Sequence, residues 1–218
     1  DWLVPLTTGL TALHTMQIGT AGLTAMLCVM ALEEAGITPE QGDILVTGAS
    51  GGVGSVAVSL LAAKGYSVIA ATGRESNREL LLQLGAKQVI TRDELLTPIR
   101  ALDKQLWAGA VDTVGSSVLA KILSQMNYGG AVAACGLAGG FDLPATVMPF
   151  ILRNVRLQGV DSVMCPFERR QQAWQQLAQL LPASFYDHAC EEIILEEAPE
   201  AAAKIMDGQI TGRVVIKI

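Results

Sequence analysis

Residues 43–57 read Asp43-Ile44-Leu45-Val46-Thr47-Gly48-Ala49-Ser50-Gly51-Gly52-Val53-Gly54-Ser55-Val56-Ala57, which is an apolar strand, a glycine-dense turn and a helix start in one unbroken line. A diphosphate needs backbone N–H groups pointing at it with no side chain in the way, and the positive end of a helix dipole adds attraction. Gly51 and Gly52 open that approach, and Gly54 lets the helix pack on the strand. Against the pattern G-x-G-x-x-G, Ala49 takes the place of the first glycine, so the fingerprint is one methyl group away from strict. A purely structural glycine turn is the plain alternative. The strand before it and the apolar helix 56–63 after it favour a dinucleotide site.

Outward from this turn, short Val- and Ile-rich runs alternate with helix-length segments, the pattern of βαβ units. Strands are expected at 44–47, 67–71, 88–90, 110–113, 131–135 and 155–160. Helix stops are expected at Gly65, Gly85 and Gly129-Gly130, the last after a helix running over 119–128. The fold class is therefore α/β, a Rossmann-type doubly wound parallel sheet of six strands. After residue 187 the chain reads as a strand (191–195), a helix (198–207) and a last strand (214–218).

The tip of the second strand decides which dinucleotide. An acidic residue about 20 positions beyond the glycine turn reads the ribose 2′-hydroxyl of NAD. Here the tip is Ala71-Thr72-Gly73-Arg74-Glu75-Ser76. Thr72 and Ser76 offer hydroxyls and Arg74 a planar fork suited to a phosphate. Glu75 stands close enough to be an NAD reader, and Arg74 with Glu75 also makes sense as a solvated pair. The balance favours a 2′-phosphate and so NADPH.

The bulk properties limit the partners. With 15 basic and 21 acidic residues the net charge is −6, which gives no general surface for nucleic acid or an anionic membrane. Cys28, Cys135, Cys165 and Cys190 form no C-x-x-C pair, so no zinc or disulfide framework is read from them and a reducing cytoplasm suits the chain. The apolar run 18–32 ends at Glu33-Glu34, short of the ~18 residues of a membrane span, and is read as a buried helix. Residues 1–5 lack the basic and apolar regions of a signal peptide. His14 and His188 have no acidic or thiol partner at ligand spacing, Cys135 is read as core, and 168–170 as a solvated helix face.

Taken with the stretches 18–27, 107–115, 134–140 and 148–162 and with Gly212-Arg213, these residues resemble the zinc-independent medium-chain dehydrogenase/reductases. Within them they resemble the subgroup of NADPH-dependent acrylyl-CoA reductases, long grouped with the quinone oxidoreductases. The resemblance implies Ser50, Gly51, Gly52 and Val53 on the diphosphate, and Thr72, Gly73 and Arg74 on the ribose phosphate, Thr72 standing where the family has Ser. It places Arg92 near the adenylate, and Leu137, Ile151 and Ser162 at the nicotinamide end, just beyond strands five and six. It also implies no metal and a homodimer formed along strand six. The substrate is expected to be an enoyl-CoA or a quinone-like molecule.

The same resemblance implies a division into 1–36, a connecting segment and helix from the catalytic-domain side; 37–165, the nucleotide domain; and 166–218, a helix and a return to a GroES-like barrel of which only remnants are present. The expected tyrosine beside the nicotinamide belongs to the absent part, so no catalytic residue is nominated. The tail strands are expected to show unpaired edges and bare apolar surface, and a nucleotide-binding piece without activity is a further reading.

Overall fold

The computed structural model describes residues 3–218. Strands β1 (Asp43–Val46), β2 (Ser67–Thr72), β3 (Gln88–Thr91), β4 (Trp107–Asp112), β5 (Met126–Ala134) and β6 (Arg156–Gly159) form one sheet in the order β3-β2-β1-β4-β5-β6. Every neighbouring pair is parallel. The order reverses between β1 and β4, which opens a crevice at the carboxyl ends of those strands. Strands β1, β2 and β4 are buried almost throughout, as a sheet covered on both faces requires.

One face is covered by α1 (Ala12–Glu34), α2 (Gly52–Ala63), α3 (Arg78–Gln83), α6 (Phe167–Leu180) and α7 (Ala183–Ala189). The other carries α4 (Ser116–Gln125) and α5 (Met148–Arg153), with the short helical turn 92–95. Ile18, Leu32, Leu60 and Leu61 on the first face and Ile122 and Leu123 on the second are fully buried. Each such side chain contributes about 1.5–3 kcal/mol of transfer free energy.

Three expectations are corrected. The first helix runs over 23 residues, not 15, so its length and composition would suit a membrane span; 72% of its most apolar stretch is buried inside the protein, where it shares the core with α2, β4 and β5. It is also broken at Gly19, whose φ of 53° and ψ of −159° leave the helical region. The fourth crossover helix stops at Gln125, and Met126 already pairs with Trp107. The register then jumps to Gly109 opposite Ala131, so residues 127–130 bulge past Ala108, and Gly129, with φ of 76°, shapes this bulge instead of a helix end.

The tail forms β7 (Cys190–Ile194), α8 (Ala198–Met206) and β8 (Arg213–Lys217), with β7 and β8 paired in parallel as a separate two-stranded ladder. Ile194, Leu195, Met206 and Ile216 are exposed, which matches the expected bare apolar surface. Strand β6 is an edge strand, as expected.

Candidate functional site

The chain leaves β1 at Val46 and turns sharply at Gly48, where φ is 56°. A Cβ there would stand 2.2 Å from the Thr113 hydroxyl, so no other residue fits. The tight-turn role assigned by pattern to position 49 thus belongs to Gly48. Ala49 is fully buried and donates its N–H to the Ala71 carbonyl at 3.0 Å, so its methyl group is packed in the core and not exposed in the crevice. Gly54 performs the expected packing role: a Cβ on it would meet the Gly48 carbonyl oxygen at 2.3 Å.

Helix α2 begins with Gly51 as its N-cap, which has no side chain to bond the first-turn N–H groups. Those groups are left for an external acceptor. Above them lies Arg213. A Cβ on Gly52 would come within 2.9 Å of Arg213 Nη1, and one on Gly19 within 2.8 Å of Nη2, so two glycines make room for this guanidinium. Its Nε donates to the Gln17 carbonyl at 3.0 Å. Burial lowers its pKa from the ordinary arginine value, and among the described residues no carboxylate pairs with it. A half-buried cation without a counter-ion at a helix N-terminus is an anion site in waiting.

At the next strand tip, the Ser50 and Thr72 hydroxyls lie 3.0 Å apart, and Thr72 Oγ1 accepts the Arg74 N–H at 3.2 Å. The Arg92 guanidinium flanks Gly73, 3.6 Å from where a Cβ would sit. Arg74 Nη2 donates to the Ile210 carbonyl at 2.7 Å. Glu75, the residue that argued for NAD, bonds instead to Arg78 on its own turn. Two guanidinium groups, with the neighbouring carboxylate taken up by Arg78, suit a phosphate better than a bare ribose diol.

Beside the β2 tip lies a cavity of about 220 Å³ walled by Thr47, Gly48, Gly73, Arg92, Val114 and Gly139, among others. It sits at the carboxyl ends of β1, β2, β4 and β5. Its shape is held by Asp112, fully buried, which accepts from the Thr47 hydroxyl at 2.6 Å and from the Gly115 N–H at 2.8 Å. Burial raises the pKa of this carboxyl, and those hydrogen bonds oppose the rise. A larger cavity of about 390 Å³ lies between α1 and the β6–α6 connection, rimmed by Glu34 and Arg169, and shares no residue with the glycine turn.

The structure thus brings Ser50, Gly51, Gly52, Thr72, Gly73, Arg74 and Arg92 around one cleft, with Val53 in the first turn of α2. Leu137 is in the loop after β5, beside Gly115, and is 66% exposed at the cleft mouth. Ser162 follows β6 as expected. Ile151 is on α5, in the crossover that leaves β5 and enters β6, and is 73% exposed. Leu137, Ile151 and Ser162 all lie outside the wall of the 220 Å³ cavity.

Cys135 donates to the Asp112 carbonyl at 3.5 Å. A side-chain hydrogen bond with Cys28 lowers the Cys135 pKa and, together with burial, raises that of Cys28. His14 stacks on Tyr186 with centroids 4.3 Å apart. Among the described residues no three of His, Cys, Asp and Glu converge as metal ligands. Sequence reading missed Gly48, Asp112 and Arg213. The first had a local signal, as the glycine directly after the strand; Arg213 entered only as part of a matching stretch with no role, because its partner Gln17 lies 196 residues away.

Comparison with known proteins follows the same lines. Residues 52–182 match the family described as zinc-binding dehydrogenase. The chain is 65% identical over all 218 residues to the acrylyl-CoA reductase-type protein AcuI of Escherichia coli, covering 67% of it. It superposes on the crystal structure of Escherichia coli YhdH with bound NADPH with a TM-score of 0.97 at 65% identity, over 100% of this chain and 67% of that one. It superposes equally on Bacillus subtilis YhfP with bound NAD, a protein named as a quinone oxidoreductase, with a TM-score of 0.96 at 48% identity and the same coverages. The chain spans about two thirds of the length of these relatives.

Proposed function

This chain belongs to the zinc-binding dehydrogenase family, and on that footing we propose that it is the cofactor-holding portion of an NADPH-dependent reductase acting on the carbon–carbon double bond of acrylyl-CoA or a similar enoyl thioester. The single observation that carries the reading is the pair Arg74 and Arg92 flanking Gly73 at the tip of β2, with Glu75 bonded to Arg78. A 2′-phosphate fits there; a ribose reader does not.

The bound cofactor supplies the hydride that reduces the alkene. The chain's own residues bind and orient. The first-turn N–H groups of α2, with the Arg213 guanidinium above Gly52, hold the diphosphate. Arg74 and Arg92 hold the ribose phosphate, and the Thr72 hydroxyl, fixed by Ser50, orders the turn between them. Leu137, Ile151 and Ser162 are assigned to the nicotinamide end, Leu137 excluding water from the mouth of the cleft. No residue of this chain is assigned to proton transfer or to the developing oxyanion. The reading includes chemistry without zinc and a reducing cytoplasm, and the exposed edge of β6 supports a homodimer formed along that strand.

The likeness to YhfP supports a second reading, a reductase of quinones or other activated alkenes on the same cofactor site. Oxidation of NADPH by the enzyme, followed by loss of reduced-nicotinamide absorbance with acrylyl-CoA and then with a quinone, separates them. Turnover of the thioester in preference to the quinone is expected; turnover of the quinone alone overturns the first reading.

A further inference from the structure

Four consecutive tail residues each bond to a different residue of the cleft rim. The Ile210 carbonyl accepts from Arg74 Nη2 at 2.7 Å, and the Thr211 hydroxyl donates to Asn77 Oδ1 at 3.2 Å. The Gly212 N–H donates to the Ser50 carbonyl at 2.9 Å, and Arg213 Nε to the Gln17 carbonyl at 3.0 Å. Residues 210–213 therefore cross the cleft as a strap, fastened in turn to the β2 tip, the glycine turn and α1. Gly212, with φ of 65°, is required for the crossing, because a Cβ there would lie 2.1 Å from the Ala189 carbonyl oxygen.

The fastening at Asn77 is of a different kind from the other three. Asn77 is only 8% exposed, its N–H closes the turn onto the Arg74 carbonyl at 3.1 Å, and its Nδ2 has no partner. Arg74 and Asn77 are thus two ends of one turn, and Ile210 and Thr211 meet them pairwise. A long guanidinium on an open strand tip samples many rotamers, and a fixed carbonyl acceptor removes most of them. The carbonyl is fixed only while the strap is.

We infer that Thr211 and Asn77 are positioning residues for the cofactor's 2′-phosphate: their hydrogen bond holds the Ile210 carbonyl against Arg74 and so sets that guanidinium toward the phosphate, without either residue touching the cofactor. The inference rests on the NADPH reading above and goes beyond it, because it places part of the discrimination between phosphorylated and unphosphorylated cofactor in the tail segment 210–212 that leads into β8.

The test is the affinity of the chain for NADPH and for NADH, measured by titration in Thr211→Val, Thr211→Ser and Asn77→Ala beside the unsubstituted chain. Thr211→Val keeps the shape and removes the donor, and is expected to weaken NADPH by roughly five- to tenfold, the scale of losing the orientation of one charge-assisted contact, while NADH changes less than about twofold. Thr211→Ser restores the donor and the NADPH affinity. Asn77→Ala gives the same selective loss and stands in if Thr211→Val fails to fold cooperatively. Equal losses for both cofactors, no loss, or failure of Ser to restore overturns the inference. An unsubstituted chain that binds the two cofactors alike overturns the reading beneath it as well, and that outcome is distinct from a discriminating chain whose ratio the variants leave unmoved.

Discussion

Arg213 lies directly over Gly52: a Cβ built on the glycine would stand 2.9 Å from Nη1 of the arginine, although 161 positions separate the two residues in the chain. That contact joins the last strand to the first turn of α2, and it sets a cation with no carboxylate partner, among the described residues, at a helix N-terminus.

The first prediction follows from that cation. Its target is the diphosphate, which NADPH and NADH share, so Arg213→Ala is expected to weaken both by about tenfold or more, the scale of one charge-assisted hydrogen bond. Titration of the variant with each cofactor checks this. A loss confined to NADPH would place Arg213 at the ribose instead.

A second prediction concerns the packing of the glycine turn. Gly54→Ala drives a methyl group into the Gly48 carbonyl oxygen at 2.3 Å and into the Ala49 Cα at 2.6 Å, both backbone atoms that cannot rotate away. Overpacking of this kind costs about 1–3 kcal/mol. A lowered denaturation midpoint together with lost cofactor affinity is the expected result, and a variant as stable as the parent would show that the helix can slide outward freely.

The third is a pH dependence. Arg169 on α6 makes a bidentate pair with Glu34 at the end of α1, and this hydrogen bonding lowers the Glu34 pKa below its ordinary 4.5. A folded-state pKa below the unfolded one gives stability that is present above the unfolded value and lost as pH falls through the folded one. The pair is partly exposed, so its contribution is about 0.2–1 kcal/mol after solvent screening. Urea midpoints of the parent and Arg169→Ala should therefore differ at neutral pH and converge on acidification below 4.5. Curves that stay parallel would mean that the pair is not formed in solution.

Much of the fold was legible because the local rules all agreed. Strands β1 and β2 are short apolar runs closed by glycine turns, and Gly65 and Gly85 end their helices with positive φ as expected. Where local signals misled, a long-range contact had prevailed. Residues 126–128 carry a helical pattern, but Met126 is fully buried as the partner of Trp107, so pairing with β4 overrides it. Gly129-Gly130 looked like a helix stop because a bulge uses the same residue for the same backbone freedom.

The site was legible in its local half only. Thr72, Gly73 and Arg74 are consecutive, and the glycine turn lies in one line with its strand and helix, so spacing alone could find them. Arg213 and Asp112 could not be found this way. Their partners Gln17 and Thr47 are 196 and 65 positions away in the chain, and only the folded sheet brings them together.

The central claim is that the β2 tip holds a 2′-phosphate, and the most direct measurement is the ratio of dissociation constants of the chain for NADH and NADPH, before and after Arg92→Ala. Arg92 flanks Gly73 and makes no ion pair with a carboxylate among the described residues, so its removal tests the phosphate contact with little structural cost. The account predicts that NADPH binds about tenfold or more tightly than NADH, and that Arg92→Ala cuts this advantage by weakening NADPH alone. Equal affinity for the two cofactors in the parent chain, or an advantage that survives Arg92→Ala undiminished, would contradict it.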